Sequence, residues 1–298
     1  MASKGTKDEA EKPKASTTAI LVAAVRAAHL IWNDPPLFSD TYALQMVTPF
    51  WRQVAKRRWL KWLIADVVLG VLKPIHTEAI LRVRFTEERL REAIADGVGQ
   101  YVILGAGLDS FSLRQGDLAD RLRIFEVDQP ASQAMKRERL VAINGSVPDN
   151  LTLVPVNFET DRLDEELRKA GFDAETPTFF SWLGVTYYLT GEAIGESLDR
   201  VSSLAAPGSR IVCDYKYPHD LVPAEGMEFV QKLEKFVAGR GEPMISTFTP
   251  DAMNAEMARV GFQEVDSVSP DEADKRYLQG RSDMDAPAPG FSFALFRK

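Results

Sequence analysis

The residues best placed for binding chemistry are Gly105, Ala106 and Gly107, with Glu126 and Asp128 about 20 residues further on. Four apolar residues, Tyr101-Val102-Ile103-Leu104, precede the glycines. The stretch therefore reads as a buried parallel strand that breaks into a tight turn, where glycine lets the backbone approach a ligand. A second apolar run from Leu122 reads as a neighbouring strand, and its acidic tip at Asp128 is suited to accept hydrogen bonds from a ribose diol. Together they describe a pocket for an adenosine-containing cofactor. Position 110 is Ser where a dinucleotide fingerprint has its third glycine, and Asp109 would set negative charge beside a pyrophosphate. Both features favour a ligand without phosphates, of which S-adenosylmethionine is the obvious one. On the glycines alone, plain strand-turn geometry is the alternative.

These residues need a sheet to carry them. From Gly99 onward, short apolar runs (Tyr101–Leu104, Leu122–Val127, Leu151–Val156, Thr178–Trp182, Ile211–Tyr215) alternate with helix candidates at Ala131–Asn144, Leu163–Ala170 and Gly191–Leu204. That rhythm predicts a parallel sheet with helices on both faces and a ligand at the carboxyl ends of its strands. Pro218 to Pro250 interrupts it with one helical pattern, Glu228–Val237, and reads as a lid insertion. A helix over Pro250–Val260 and strands at Phe262–Val268 and Gly290–Phe296 then suggest a hairpin that adds an antiparallel strand. The first third reads as helical: Ser16 to Thr18 cap a helix through Leu30, and further patterns cover Tyr42–Val47, Phe50–Leu72 and Thr77–Ala95. The domain reading is a disordered tail over 1–15, a helical cap over 16–98, and a core over 99–298 with a lid at about 218–250.

A net charge of -7 argues against a nucleic-acid groove. The basic residues Arg52, Lys56, Arg57, Arg58 and Lys61, set among Trp51, Trp59 and Trp62, read as a solvated amphipathic face. One Cys and three His leave little material for a metal site, and none is expected. Cys213, inside an apolar run, reads as a buried inert thiol. No apolar run approaches the ~20 residues of a membrane span, and the polar N-terminus lacks the apolar region of a signal peptide. A cytoplasmic protein with no membrane or nucleic-acid partner is the default expectation. Oligomeric state is not legible.

The motifs then become specific. "YVILGAGLDSFSLR" (101–114) resembles the first motif of the leucine carboxyl methyltransferase-like family of S-adenosylmethionine-dependent methyltransferases, which includes bacterial polyketide carboxyl O-methyltransferases. "FEVDQP" (125–130) with Lys136-Arg137 is similar to the family's second motif, and "NDPPLFSD" (33–40) to its Asp-Pro-Leu-Phe element. "LRVRF" (81–85) resembles its arginine-bearing helix before the sheet, and "TPTFFSWLGVTYYLT" (176–190) the strand that normally reads Trp-Glu-Gly. The resemblance implies a class I methyltransferase fold: an α/β, Rossmann-like doubly wound sheet with a C-terminal antiparallel strand, an N-terminal helical cap and a lid insertion.

By that resemblance, Gly105, Ala106, Gly107 and Asp109 form the cofactor turn. Asp128 is the ribose acid, with Glu126 beside it; one of the two acids pairs structurally with Arg123 or Lys136 in the alternative reading. Asn157 and Phe158 face adenine, the amide by hydrogen bonding and the ring by stacking. Arg82 or Arg84 binds the cofactor carboxylate, a bidentate contact suited to guanidinium, with Arg82 preferred; a surface salt bridge is the alternative for each, and Arg26 is a weaker candidate for the substrate or cofactor carboxylate. Leu183 stands where the family has the glutamate that helps hold the methionine amino group, so Ser181, backbone carbonyls or another acid must substitute. Tyr187, Tyr188, Tyr215 and His29 are candidates for orienting substrate, although core packing accounts equally well for each tyrosine and a packed helix histidine for His29.

The function implied is O-methyl transfer, with S-adenosylhomocysteine as product, to a small-molecule acid or hydroxyl. A carboxylate is favoured because it is ionised at neutral pH and needs no general base. A protein C-terminal carboxylate, or a cofactor-binding protein with weakened catalysis, is the alternative.

Overall fold

The computed structural model describes residues 17–61 and 73–298. The tail over 1–15, the Ser16 cap and the part of the Phe50–Leu72 helix beyond residue 61, Trp62 included, lie outside the described residues.

Helices come first. α1 (Thr17–Trp32) presents Ala23, Ala24 and Ala27, small residues that allow close approach of α2 (Ala43–Met46), α3 (Pro49–Lys56) and α5 (Lys73–Ala95). α3 starts with Pro at its first position, which lacks only an N–H that no helix would use. The expected continuous helix breaks at Arg57, whose extended ψ of 114° separates α3 from α4 (Arg58–Lys61). α5 contributes Leu81, Phe85, Leu90 and Ile94 to the core and is buried on most sides between Thr77 and Glu87, because it packs against α1 as well as the sheet.

The sheet holds β1 (Gln100–Leu104), β2 (Arg123–Asp128), β3 (Leu151–Pro155), β4 (Thr178–Trp182), β5 (Arg210–Lys216), β6 (Gln263–Val268) and β7 (Phe291–Arg297). Its order is β3-β2-β1-β4-β5-β7-β6, with β7 antiparallel to both neighbours. α6 (Phe111–Arg114) follows the glycine turn, and α7 (Pro130–Asn144), α8 (Leu163–Lys169) and α9 (Gly191–Leu204) make the crossovers. Strand residues alternate between two cores, as the pleat requires. Val102, Leu104, Phe180, Trp182, Ile211 and Cys213 pack toward α8, α9 and α11 (Pro250–Arg259). Tyr101, Ile103, Phe179 and Val212 pack toward α5 and α7. The expected doubly wound sheet is thus present. The late hairpin differs in detail: β7 inserts between β5 and β6, and the connecting loop carries α12 (Pro270–Ala273) and a single π turn over Asp274–Leu278.

The segment after β5 forms α10 (Ala224–Ala238), longer than its sequence pattern. Phe229, Val230, Leu233 and Val237 give it a satellite core with Tyr187, Val222 and Phe291. The irregular segment that follows it is tied down where Ile245 donates to the Tyr187 carbonyl at 2.7 Å and Phe248 to that of Lys216 at 2.8 Å. β1 sits between β2 and β4, so the chain reverses its winding there, and the carboxyl ends of β1 and β4 open a crevice.

Candidate active site

A cavity of about 610 Å³ fills that crevice, within the range of about 300–1,000 Å³ that suits small molecules. Its floor is the glycine turn with Asp128, Phe158 and Ser181; α1 and α5 form its walls; residues 241–244, Leu233 and Phe236 close it from the insertion side. A hydrogen bond from Thr18 on α1 to Glu242 joins the two sides.

The glycine turn is fixed by backbone geometry. Gly105 has φ +71°, and a Cβ there would stand 2.2 Å from Val185 Cγ2, so no side chain fits. The Gly105 and Ala106 amides donate to the Val127 carbonyl at 2.8 and 3.0 Å, and the Gly107 amide to Asp128 Oδ2 at 2.6 Å. Asp128 Oδ1 accepts from the Gln129 amide at 2.7 Å. Burial pushes the Asp128 carboxyl up, while these amides pull it back.

Behind the turn lies a buried charged network. Arg26 pairs with Asp40 at 2.9 Å and donates to the Leu108 carbonyl at 2.5 Å. Asp40 accepts from Ser110 Oγ at 2.6 Å, Arg114 donates to Ser110 at 2.9 Å, and Arg114 grips Glu87 at 2.5 and 3.1 Å while lying over the Phe38 ring. Asp109 caps the Phe111 amide at 2.6 Å; burial opposes its charge, but Arg26, Lys136 and Arg114 hold its carboxyl below the usual range. Four sequence segments, α1, residues 33–40, α5 and residues 108–114, are locked together here. Removing one member would leave a buried charge unpaired, at a cost of about 3–5 kcal/mol.

The sequence candidates sort by position. Arg82, Gly105, Ala106, Asp109, Asp128, Phe158, Ser181, Tyr187, Tyr188 and His29 line the cavity, as does Arg26. Arg84 does not: its side chain is half-exposed, bonded to Glu88 and to the Leu37 carbonyl, because two residues along a helix turn it to another face. Glu126 is fully buried and paired with Lys136, so the structural role falls to this acid; burial lifts its carboxyl to about 7. Asn157 spends its carbonyl on the Glu159 amide at 3.0 Å and stays outside the lining; its neighbour Phe158 lies 6.2 Å from Trp182, rings tilted. Tyr215 faces the opposite core, near Tyr217, which strand alternation dictates. Gly107 shapes the turn without lining the cavity.

His29 Nε2 accepts the Leu37 amide at 2.9 Å and the Phe38 amide at 3.3 Å, and burial lowers its pKa. It is a neutral ring holding a loop, with its acceptor nitrogen engaged. Ser181 Oγ bonds Tyr101 OH at 2.9 Å. Cys213 is buried in β5, and burial pushes its thiol up. Leu183 lines the cavity among apolar neighbours such as Phe38 and Met284.

Sequence reasoning missed Asp214. Its carboxylate, fully buried on β5, accepts from Arg82 Nη1 at 2.6 Å and from the Gly184 amide at 2.7 Å. The signal was available: a lone carboxylate within the otherwise apolar run Ile211–Tyr215 must find a partner or lose its charge. Glu78, one turn before Arg82, is also buried and has no hydrogen-bond partner for either oxygen among the described residues; burial lifts its carboxyl to about 8.

The arrangement can hold an adenosyl group with an amino-acid tail. Asp128 offers a carboxylate to a diol, Phe158 a ring face, and Arg82 a cation whose Nε is buried without a partner. No cluster of side chains suited to a metal ion occurs among the described residues, and none of their helices is long and apolar enough to cross a membrane.

Comparisons with known proteins agree. A family profile described as leucine carboxyl methyltransferase matches residues 19–202. YktD of Bacillus subtilis, named as a candidate S-adenosyl-L-methionine-dependent methyltransferase, is 32% identical over 295 residues, covering 91% of this chain and 94% of its own. A Mycobacterium ulcerans protein of the same description is 34% identical over 208 residues, 66% of this chain and 64% of its own. Among solved structures, a candidate methyltransferase from Thermobifida fusca superposes with a TM-score of 0.61 at 16% identity, covering 96% of this chain and 95% of its own. A DUF574-family protein from Streptomyces avermitilis gives 0.57 at 16% identity, covering 92% and 97%. Both structures share the fold.

Proposed function

The chain belongs to the leucine carboxyl methyltransferase family and is an S-adenosylmethionine-dependent methyltransferase, and from that premise we propose that it esterifies the carboxylate of a small, largely apolar acid. The observation that carries this reading is the make-up of the cavity. One end holds the glycine turn, Asp128 and Phe158; the rest of the wall is mainly apolar, with Leu21, Val25, Ile75, Ile80, Phe236 and Met244, and its charged groups are of both signs, Lys73 and His76 on the first turn of α5 beside Glu242, Asp283 and Asp285. An apolar acid is complementary to such a wall.

In this reading the Gly105–Gly107 turn, with Ala106 and Asp109, cradles the adenosyl group. Asp128 accepts from the ribose hydroxyls, Phe158 lies against adenine, Ser181 borders the tail, and Arg82 takes its carboxylate. When bound, the cofactor supplies an electrophilic methyl group on sulfur. The chain's own contribution is placement: α1, α5 and the insertion exclude water and hold the acceptor in line, which can supply much of the rate. A carboxylate arrives ionised, so no residue need remove a proton. This suits a site whose His29 is neutral with Nε2 already engaged. Tyr187 and Tyr188 border the acceptor end as orienting groups. The helical segment before residue 99 acts as a cap and residues 218–250 as a lid over the core.

The test is methyl transfer from labelled S-adenosylmethionine into a panel of carboxylic acids, phenols and peptides with free C-termini. Label should enter acids and be released as methanol by mild alkali. Alkali-stable label in phenols would replace the ester reading with ether formation. Transfer to peptides alone would make the acceptor a protein C-terminus, and cofactor binding without transfer to any acceptor would identify a weakened enzyme.

A further inference from the structure

The guanidinium of Arg82 is held from one side only. Its Nη1 donates to Asp214 Oδ2 at 2.6 Å and to Tyr187 OH at 3.1 Å, while Nε is buried with no partner among the described residues. Nη2 lies against Gly184: a Cβ there would stand 2.7 Å from it, and Gly184 has φ +74°, a conformation glycine adopts without strain. The other oxygen of Asp214 accepts the Gly184 amide at 2.7 Å. Thr186 Oγ1 donates to the Asp214 carbonyl at 2.6 Å, and Thr86 to the Arg82 carbonyl at 2.7 Å. One carboxylate therefore ties α5, the turn after β4 and β5 into a single unit around the arginine. The edge left over, Nε with Nη2, is the two-pronged edge by which guanidinium recognises carboxylates.

We propose that Asp214 is the positioning residue for recognition of the cofactor's amino-acid tail: by holding Arg82 through Nη1 and the turn through Gly184, it presents the Nε–Nη2 edge to the tail carboxylate. This rests on the assignment of Arg82 to that carboxylate. Asp214 does not line the cavity, so it acts through Arg82 and not on the ligand. Two other groups face the same arginine. Tyr187 shares Nη1, and Glu78, whose carboxyl keeps its proton near neutrality, lends no full charge that could replace Asp214.

The experiment compares two ligands by calorimetry: S-adenosylhomocysteine and 5′-methylthioadenosine, the same thionucleoside without the amino-acid tail. For Asp214→Asn, affinity for S-adenosylhomocysteine should fall about 10-fold or more, while that for methylthioadenosine changes less than about 2-fold. Equal loss for both ligands would mean general damage to the cavity and would overturn the proposal, as would no loss for either. Asp214→Glu keeps the charge but shifts the carboxylate by one methylene; it should show the same selective loss and serves if the Asn variant does not fold. Arg82→Gln separates the premise. If that variant keeps the wild-type preference for the tailed ligand, the assignment of Arg82 itself is wrong, whatever Asp214 does.

Discussion

The Gly107 amide donates to the Asp128 carboxylate at 2.6 Å, so the turn after β1 and the tip of β2 are one hydrogen-bonded unit. The acid proposed to take the ribose diol thus also sets the shape of the turn beneath it. Asp128→Asn replaces an ionised acceptor by an amide of similar size. It should lower affinity for S-adenosylhomocysteine about 10- to 100-fold, the weight of one or two charge-assisted hydrogen bonds. Methylthioadenosine keeps the ribose and should lose as much, which sets this variant apart from Asp214→Asn. Calorimetry with both ligands checks it; an unchanged affinity would remove Asp128 from the ribose site.

Gly105 has two reasons to be glycine, and they can be separated. Gly105→Ala meets Val185 and also takes a conformation that costs an L-residue roughly 1–2 kcal/mol. Val185→Ala in the same chain removes the collision but leaves the backbone term. Cofactor affinity in the double variant should recover only part of what Gly105→Ala loses. Full recovery would show the turn to be indifferent to its positive φ.

His29 is held as a neutral acceptor of two backbone amides. Asn in its place offers a carbonyl to the same loop but cannot act as a base near neutral pH. His29→Asn should therefore keep the pH profile of kcat unchanged while weakening folding by about 1–3 kcal/mol, the cost of imperfectly satisfied amides. Loss of an acidic limb in that profile would place the imidazole in the reaction.

Glu78 makes a prediction about stability. Burial raises its carboxyl from the ordinary 4.5 to about 8. Between those values the unfolded chain has released a proton that the folded chain still holds, so folding weakens as pH rises through that window and the loss is complete above it. Glu78→Gln removes this dependence. From about pH 5 to about pH 8 the melting temperature of the wild type should fall more than that of the variant, by roughly 2–6 °C. Glu126 titrates near 7 in both proteins and cancels in the difference. Parallel melting curves would show that Glu78 is ionised in the folded chain.

Sequence alone determined what depends on local chemistry. Alternating apolar runs and helical patterns specified the order of strands and crossovers, since each run must bury itself on a neighbour. The glycines of 105–107 and the acid ending β2 were legible because a turn and a strand tip impose residue types over a few positions. The boundary of β4 at Thr178–Trp182 was read directly.

Tertiary structure decided what depends on which way a side chain faces. Arg82 and Arg84 are equivalent in sequence, yet neighbours two apart on a helix point apart, and only the seat of α5 on the sheet brings Arg82 to the cavity. Glu126 and Asp128 share a strand face, but Glu126 meets Lys136 while Asp128 meets the glycine turn. Asp214 could be read from sequence as a carboxylate in need of a partner, but not as a site residue, because that partner lies 132 positions away. A buried carboxylate announces that it needs a counter-charge, but not which one. That choice is made by the packing of α5 against β4 and β5, which no local pattern encodes.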